Sequence, residues 1–324
     1  MKKLLVFLAL PLLLSCSEDR VHYSAITKEE NSETTQADDI YLYEGKPFTG
    51  IIYDMYNDDI MEFEIYIKNG KRNGSYKYWY DHGQLWEQGK YFDGRENGLW
   101  QEWHENGQLW RKGNYLIGLR DGLWKVWSEN GKLVVEGNYE IQEEHEQLWE
   151  NLHGEYREWY RNGQRKIEGN YSNNKQDGLW KEWFENGNLE KEENYKDGKI
   201  EGLSREWHEN GQLWREANYT GGEENGLFKS WYENGQQMEE GTFKDGEIDG
   251  LWREWHENGQ LECEENYING LQEGLQRYWH ENGQLETELY AKDGEAHGVW
   301  KEWDEWGDLI SEEVYEEGEL IDTR

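Results

Sequence analysis

The chain has 324 residues, and 70 Asp and Glu against 34 Lys and Arg give a formal charge of −36, which repels phosphate backbones and excludes nucleic acid as a partner. Low hydrophobicity with this charge ordinarily means disorder, but 20 Trp and 22 Tyr at recurring positions, with only two Pro, require an ordered structure. What remains is a solvated acidic surface suited to a basic protein or to weak, multiple binding of divalent cations.

The N-terminus, "MKKLLVFLALPLLLSC", places two Lys before an apolar run, Leu4 to Leu14, that is too short to span a bilayer; residues 1–15 therefore read as an export signal. Leu13-Leu14-Ser15-Cys16 resembles the lipobox of bacterial lipoproteins. That resemblance implies cleavage before Cys16 and acylation of its thiol, a multi-chain anchor that holds stably where one chain does not. The membrane is then met only through this lipid, and Ser17 is similar to an outer-membrane rather than an inner-membrane sorting residue, so the expected location is the bacterial cell envelope. Residues 16–40 comprise the lipidated Cys and a polar segment without periodicity, which reads as a flexible tether. Cys263 is the only other cysteine, so the mature chain has no internal disulfide.

Residues 41–324 are a repeat array. Opening glycines recur at Gly50, Gly74, Gly98, Gly122, Gly154, Gly178, Gly202, Gly226, Gly250, Gly274 and Gly298, in steps of 24 residues except one of 32. The excess of eight lies at about 140–153, and the repeat from Gly50 is degenerate, as a cap would be. Within each repeat a Trp-rich run precedes "ENG" and a run ending in Tyr follows it. Asn-Gly between strand-length runs predicts a hairpin with a two-residue type I′ turn. That register places Lys125–Glu136, Arg157–Glu168, Lys181–Glu192, Arg205–Glu216, Lys229–Glu240, Arg253–Glu264, Arg277–Glu288 and Lys301–Glu312 across the strands as opposite charges. It also sets Trp79 opposite Trp86, Trp103 opposite Trp110, Trp207 opposite Trp214, and Trp100 over Gly113. Strand alternation puts Leu99, Gln101 and Trp103 on one face, and Trp100, Glu102, His104, Leu109 and Tyr115 on the other. The expected fold is all-β: an elongated, twisted antiparallel meander of about ten to eleven 24-residue hairpins in a single layer.

These residues, as in "GLWREWHENGQLECEENYINGLQEG" from Gly250, resemble the MORN repeat variant of bacterial proteins over about residues 45–320. The resemblance implies hairpin sheets serving protein or lipid association, without a catalytic motif. Some proteins with such repeats are labelled antitoxins, a label that sits poorly with a lipoprotein signal.

No column of the array reads as an enzyme centre. His104, His208, His256 and His280 form one column, but equivalent residues of adjacent hairpins lie about 9.5 Å apart, too far to share a zinc ion, and the Glu102 column repeats one environment where acid–base chemistry needs two. The turns "KDGEIDG" and "KDGEAHG" lack the spacing of a dedicated calcium loop. No cofactor and no metal site are expected. The candidate binding surface is the aromatic column Trp79, Trp103, Trp127, Trp159, Trp183, Trp207, Trp231, Trp255, Trp279 and Trp303. The reading that follows is a membrane-anchored, non-enzymatic scaffold for an unidentified, basic protein. Its alternatives are an antitoxin or immunity protein, and a cell-wall glycan binder using the Trp column.

Overall fold

The computed structural model describes residues 19–29, 39–144 and 147–324; the signal and Cys16 lie outside the described residues. The described residues are strands and tight turns, with one 3-10 turn at Tyr23–Ala25 and no α-helix. Among the described residues no helix is long and apolar enough to cross a membrane. The chain divides into two compact units, one ending at Arg120 and one beginning at Asp121.

In the first unit the hairpins Gly50–Met55/Met61–Lys68, Lys71–Trp79/Leu85–Phe92 and Gly98–Trp103/Leu109–Leu116 follow one another antiparallel. Part of the segment read as a tether is built into this unit. Arg20–His22 pairs in parallel with Gly50–Met55, and Ile26–Glu29 pairs with Ile40–Tyr43 in a small second sheet. Burial explains the difference: Tyr41, Phe48, Ile52, Ile65 and Ile67 bury together, with Val21 and Ile26 packed against them. Each such side chain contributes about 1.5–3 kcal/mol when removed from water. The polar composition of residues 16–40 concealed these two apolar contacts.

In the second unit hairpins follow one another antiparallel, from the pairing of Gly122 with Tyr139 to the last strand, Glu319–Thr323. The eight-residue excess is not a loop. Leu133–Glu144 pairs with Gln147–Trp159, Glu140 opposite Asn151 and Glu144 opposite Gln147, so the extra residues lengthen one hairpin at its tip.

All eight charge pairs stand in the expected register. The turn that produces it differs from expectation. His104 N–H donates to Gln108 O and Gly107 N–H to His104 O, and of the loop residues Glu105, Asn106 and Gly107 only the glycine has positive φ, 81°. This is a type I turn closed by a left-handed glycine, a three-residue loop. A second irregularity then places Trp103 opposite Leu109 and makes Trp110 the bulged residue, which returns Glu102 to Arg111. The same correction holds for Trp79, opposite Leu85, and Trp207, opposite Leu213. Leu109 therefore joins the Trp103 face, while the Trp110 ring lies 6.0 Å from His104 and the Trp214 ring 6.2 Å from His208. The two-residue turns with both φ positive occur between repeats, at Asp93-Gly94, Asp245-Gly246 and Asn269-Gly270 among others.

The buried face is organised by size. Trp100 stands opposite Gly113 as expected, and its ring also covers Gly89 of the preceding hairpin: a Cβ on Gly89 would stand 1.9 Å from Trp100 Cε3. Trp180 covers Gly169 and Trp252 covers Gly241 in the same way. Where the aromatic is replaced by a small or polar residue, the preceding position grows: Ser204 faces Glu193 and Gln276 accompanies Glu265, and all four are buried. Phe228 stands opposite Ala217. Volume is conserved across each neighbouring pair, as close packing demands.

Candidate functional site

The second unit presents three rows on the face of its Trp column. The first is apolar and open: Leu179, Leu227, Leu251, Leu275 and Val299 are exposed and Leu203 half-buried. The second is the ion-pair row, for example Lys181 Nζ to Glu192 at 2.7 Å and Arg253 Nε to Glu264 at 2.9 Å. The third is the Trp column. All ten of its members, in both units, are half-buried. The leucine row follows each opening glycine, and the sequence reading placed it on a face without assigning it a role. Its signal was a constant apolar type at a solvent-facing parity.

Neighbouring repeats are laced at their turns. Asn162 Nδ2 donates to Glu185 O at 2.8 Å, and Asn186, Asn210, Asn234, Asn258 and Asn282 repeat the contact one repeat further on each time. One position after each column Trp, Tyr160 and Tyr232 hydroxyls donate to Trp183 O and Trp255 O, both at 2.7 Å. His208, His256 and His280 reach Trp231 O, Trp279 O and Trp303 O at 2.8–3.0 Å through Nε2, the donor nitrogen in this contact. The His column is thus a hydrogen-bond ladder in which His and Tyr are interchangeable donors. Among the described residues no three His, Cys, Asp or Glu side chains come together as a metal site. Asp245 of "KDGEIDG" accepts from Asn225 Nδ2 at 3.3 Å.

Carboxylates face one another on the buried side. Glu102 stands opposite Glu87 and Glu254 opposite Glu239. Burial first, then Glu239 against a hydrogen bond from Trp252, holds the Glu254 carboxyl above the ordinary carboxylate range. A folded-state pKa raised in this way makes folding favour the protonated form, so stability falls as pH rises through the window above the unfolded value. Glu254→Gln is expected to raise the melting temperature at pH 7 and to leave it unchanged below about pH 4, where both forms are neutral. A melting temperature lowered at pH 7 would show that the carboxylate is needed as an anion. Cys263, opposite Glu254 and buried, has its thiol pushed far up by burial and by Glu254, and is inert as a nucleophile.

The first unit has a cleft of about 570 Å³ on its Trp100 face, bordered by Tyr23 and Tyr41 from the N-terminal segment and by Arg72, Tyr76, Glu87 and Trp100 from the hairpins.

The MORN repeat variant pattern matches nine times, at residues 72–93, 96–116, 120–140, 152–173, 176–197, 200–220, 224–245, 248–269 and 272–293, together more than half of the chain. No curated protein matches. Among solved structures the chain is similar to "Crystal Structure of TcdB2-TccC3" at 12% identity and a TM-score of 0.19, covering 86% of this chain and 16% of that one. It is also similar to "Crystal Structure of TcdB2-TccC3-Cdc42" at 13% identity and a TM-score of 0.13, covering 75% and 18%. The chain thus spans less than a fifth of the length of these structures, and no functional reading rests on them. With hairpins of 24 residues, glycine-closed turns and nine matches to one pattern, this chain belongs to the MORN repeat variant family.

Proposed function

We propose that the chain is a membrane-tethered, non-enzymatic interaction protein of the bacterial cell envelope, and that it docks a basic protein along the leucine row of its second unit. The observation that carries this is the row itself: Leu179, Leu203, Leu227, Leu251, Leu275 and Val299, at intervals of about 9.5 Å set by two strand spacings. Contiguous exposed apolar side chains rimmed by charge mark interaction surfaces. The excess of acid over base supplies attraction for a basic partner, screened progressively by salt. Family repeats suggest protein or membrane interaction and are typically non-catalytic, which agrees with a surface made of repeated columns. Cys16 supplies the tether in this reading.

The test is capture of envelope protein by the full chain at low and moderate salt, beside a variant carrying Leu227→Ser, Leu251→Ser and Leu275→Ser. One stoichiometric protein retained by the native chain and lost from the variant is expected; retention that ignores the three substitutions sinks the docking face. Labelled fatty acid should enter the native chain and not Cys16→Ser, and absence of label removes the tether. A captured protein that is toxic when expressed alone would make the chain an antitoxin or immunity protein. Retention of wall glycan with a change in tryptophan fluorescence would move the site to the Trp column.

A further inference from the structure

The cleft of the first unit holds charges of both signs that the repeat scheme leaves incomplete. Arg72 donates through Nε to the Tyr41 hydroxyl at 3.1 Å and through Nη1 to the Tyr91 hydroxyl at 3.3 Å. Its guanidinium lies over both rings, 5.9 and 5.3 Å from their centroids. Among the described residues no carboxylate lies within ion-pair distance of it. A partly buried guanidinium held only by neutral hydroxyls lacks the anion that would compensate its desolvation.

The opposite deficit lies on the return strand of the same hairpin, Leu85–Phe92. Glu87 and Glu102 face each other, and Arg111 Nε bonds Glu102 at 2.5 Å. Glu87 accepts from Trp100 Nε1 at 2.6 Å and from the Tyr76 hydroxyl at 3.5 Å, with no ion pair among the described residues. Burial first, then Glu102, holds its carboxyl above the ordinary range, against the Trp100 hydrogen bond and the charge of Arg111, which pairs with Glu102 and not with Glu87. The ground between is aromatic: Tyr76 meets Tyr91 edge-on at 5.5 Å and stacks on Trp100 at 5.6 Å. The Tyr76 hydroxyl donates to Glu87 and its ring meets that of Tyr91, to which Arg72 donates, so the two charges border one aromatic pair.

We propose that this cleft binds a zwitterion, an α-amino acid or a short peptide, whose carboxylate takes Arg72, whose ammonium takes Glu87 and whose side chain packs on Tyr76. The volume of about 570 Å³ is of the size that holds small ligands. A single ligand of this kind supplies the missing anion and the missing cation together, with no net change in the charge of the cleft. The site is independent of the outer leucine row.

Calorimetric titration of the full chain with L-phenylalanine and with glycyl-L-phenylalanine tests it, and separates a free amino acid from a peptide. Saturable binding of at least one is expected, weakened about tenfold or more by Arg72→Gln and by Glu87→Gln, as charge-assisted hydrogen bonds require. Binding of neither, or binding unchanged in both folded variants, overturns the proposal. Derivatives put the same question to the unaltered chain, so a variant that fails to fold decides nothing alone. N-acetyl-L-phenylalanine, without the ammonium, and L-phenylalanine amide, without the carboxylate, should each bind about tenfold more weakly than L-phenylalanine. Equal binding of all three would also overturn it.

Discussion

Trp252→Ala is expected to destabilise the second unit by about 3–5 kcal/mol in chemical denaturation, the cost of emptying a buried aromatic site. Trp252 is 6% exposed, covers Gly241, stacks on Phe228 at 5.3 Å and meets Phe243 edge-on at 5.8 Å. Trp255, three residues later in the half-buried column, is the control. Its carbonyl takes the Tyr232 hydroxyl whatever its side chain, so Trp255→Ala should cost only about 1–2 kcal/mol of lost burial. Equal losses at the two positions would mean that both faces carry the packing, and would undo the distinction between an inner and an outer Trp column. Gly241→Ala brings a Cβ to 2.1 Å from Trp252 Cε3 and should cost about 1–3 kcal/mol by overpacking.

The second expected result concerns compensation. Glu265 accepts from Tyr267 at 2.7 Å, from Gln272 Nε2 at 2.8 Å and from Tyr278, and the neighbouring Gln276 is fully buried. Glu265→Gly leaves those donors without an acceptor, and Gln276→Trp drives a ring into the Glu265 side chain. Each alone should cost about 2–4 kcal/mol. The double variant recreates the Gly241/Trp252 arrangement found one repeat earlier, and should recover about 2 kcal/mol or more of the summed loss. Simple additivity would show that the two positions do not share a volume.

Several features were legible in the sequence because they depend on parity and spacing alone. The charge pairs came out in register although the turn was misread, since the three-residue loop and the bulge at Trp110 offset each other. The turn type was not legible. Asn-Gly and Asp-Gly occur in both kinds of turn, and the Asn of the inner turn is kept right-handed while its side chain bonds the Gln two residues on and the next repeat. Register sets Trp100 beside Gly113 and, on its other side, Gly89, and the close cover of Gly89 depends on the side-chain rotamer. The pairing of large with small along the chain was nevertheless written in residues eleven apart, Gly169 with Trp180 and Glu193 with Ser204. The cleft was hidden because Arg72 precedes its opening glycine and belongs to no column, and because Tyr41 reaches it from ahead of the first opening glycine, Gly50.

The lacing of the turns has a direction. Each Asn, Tyr or His donor reaches forward to carbonyls of the repeat that follows it in the chain. During synthesis the donors of one repeat therefore exist before their acceptors do, and a newly emerged hairpin meets an edge already furnished to receive it. The strand Gly50–Met55 is paired by Arg20–His22, which is made earlier still, so its first neighbour is present before the first full repeat appears. Within the second unit this order of donors favours growth in the order of translation, each repeat offering ready donors to the one that follows it.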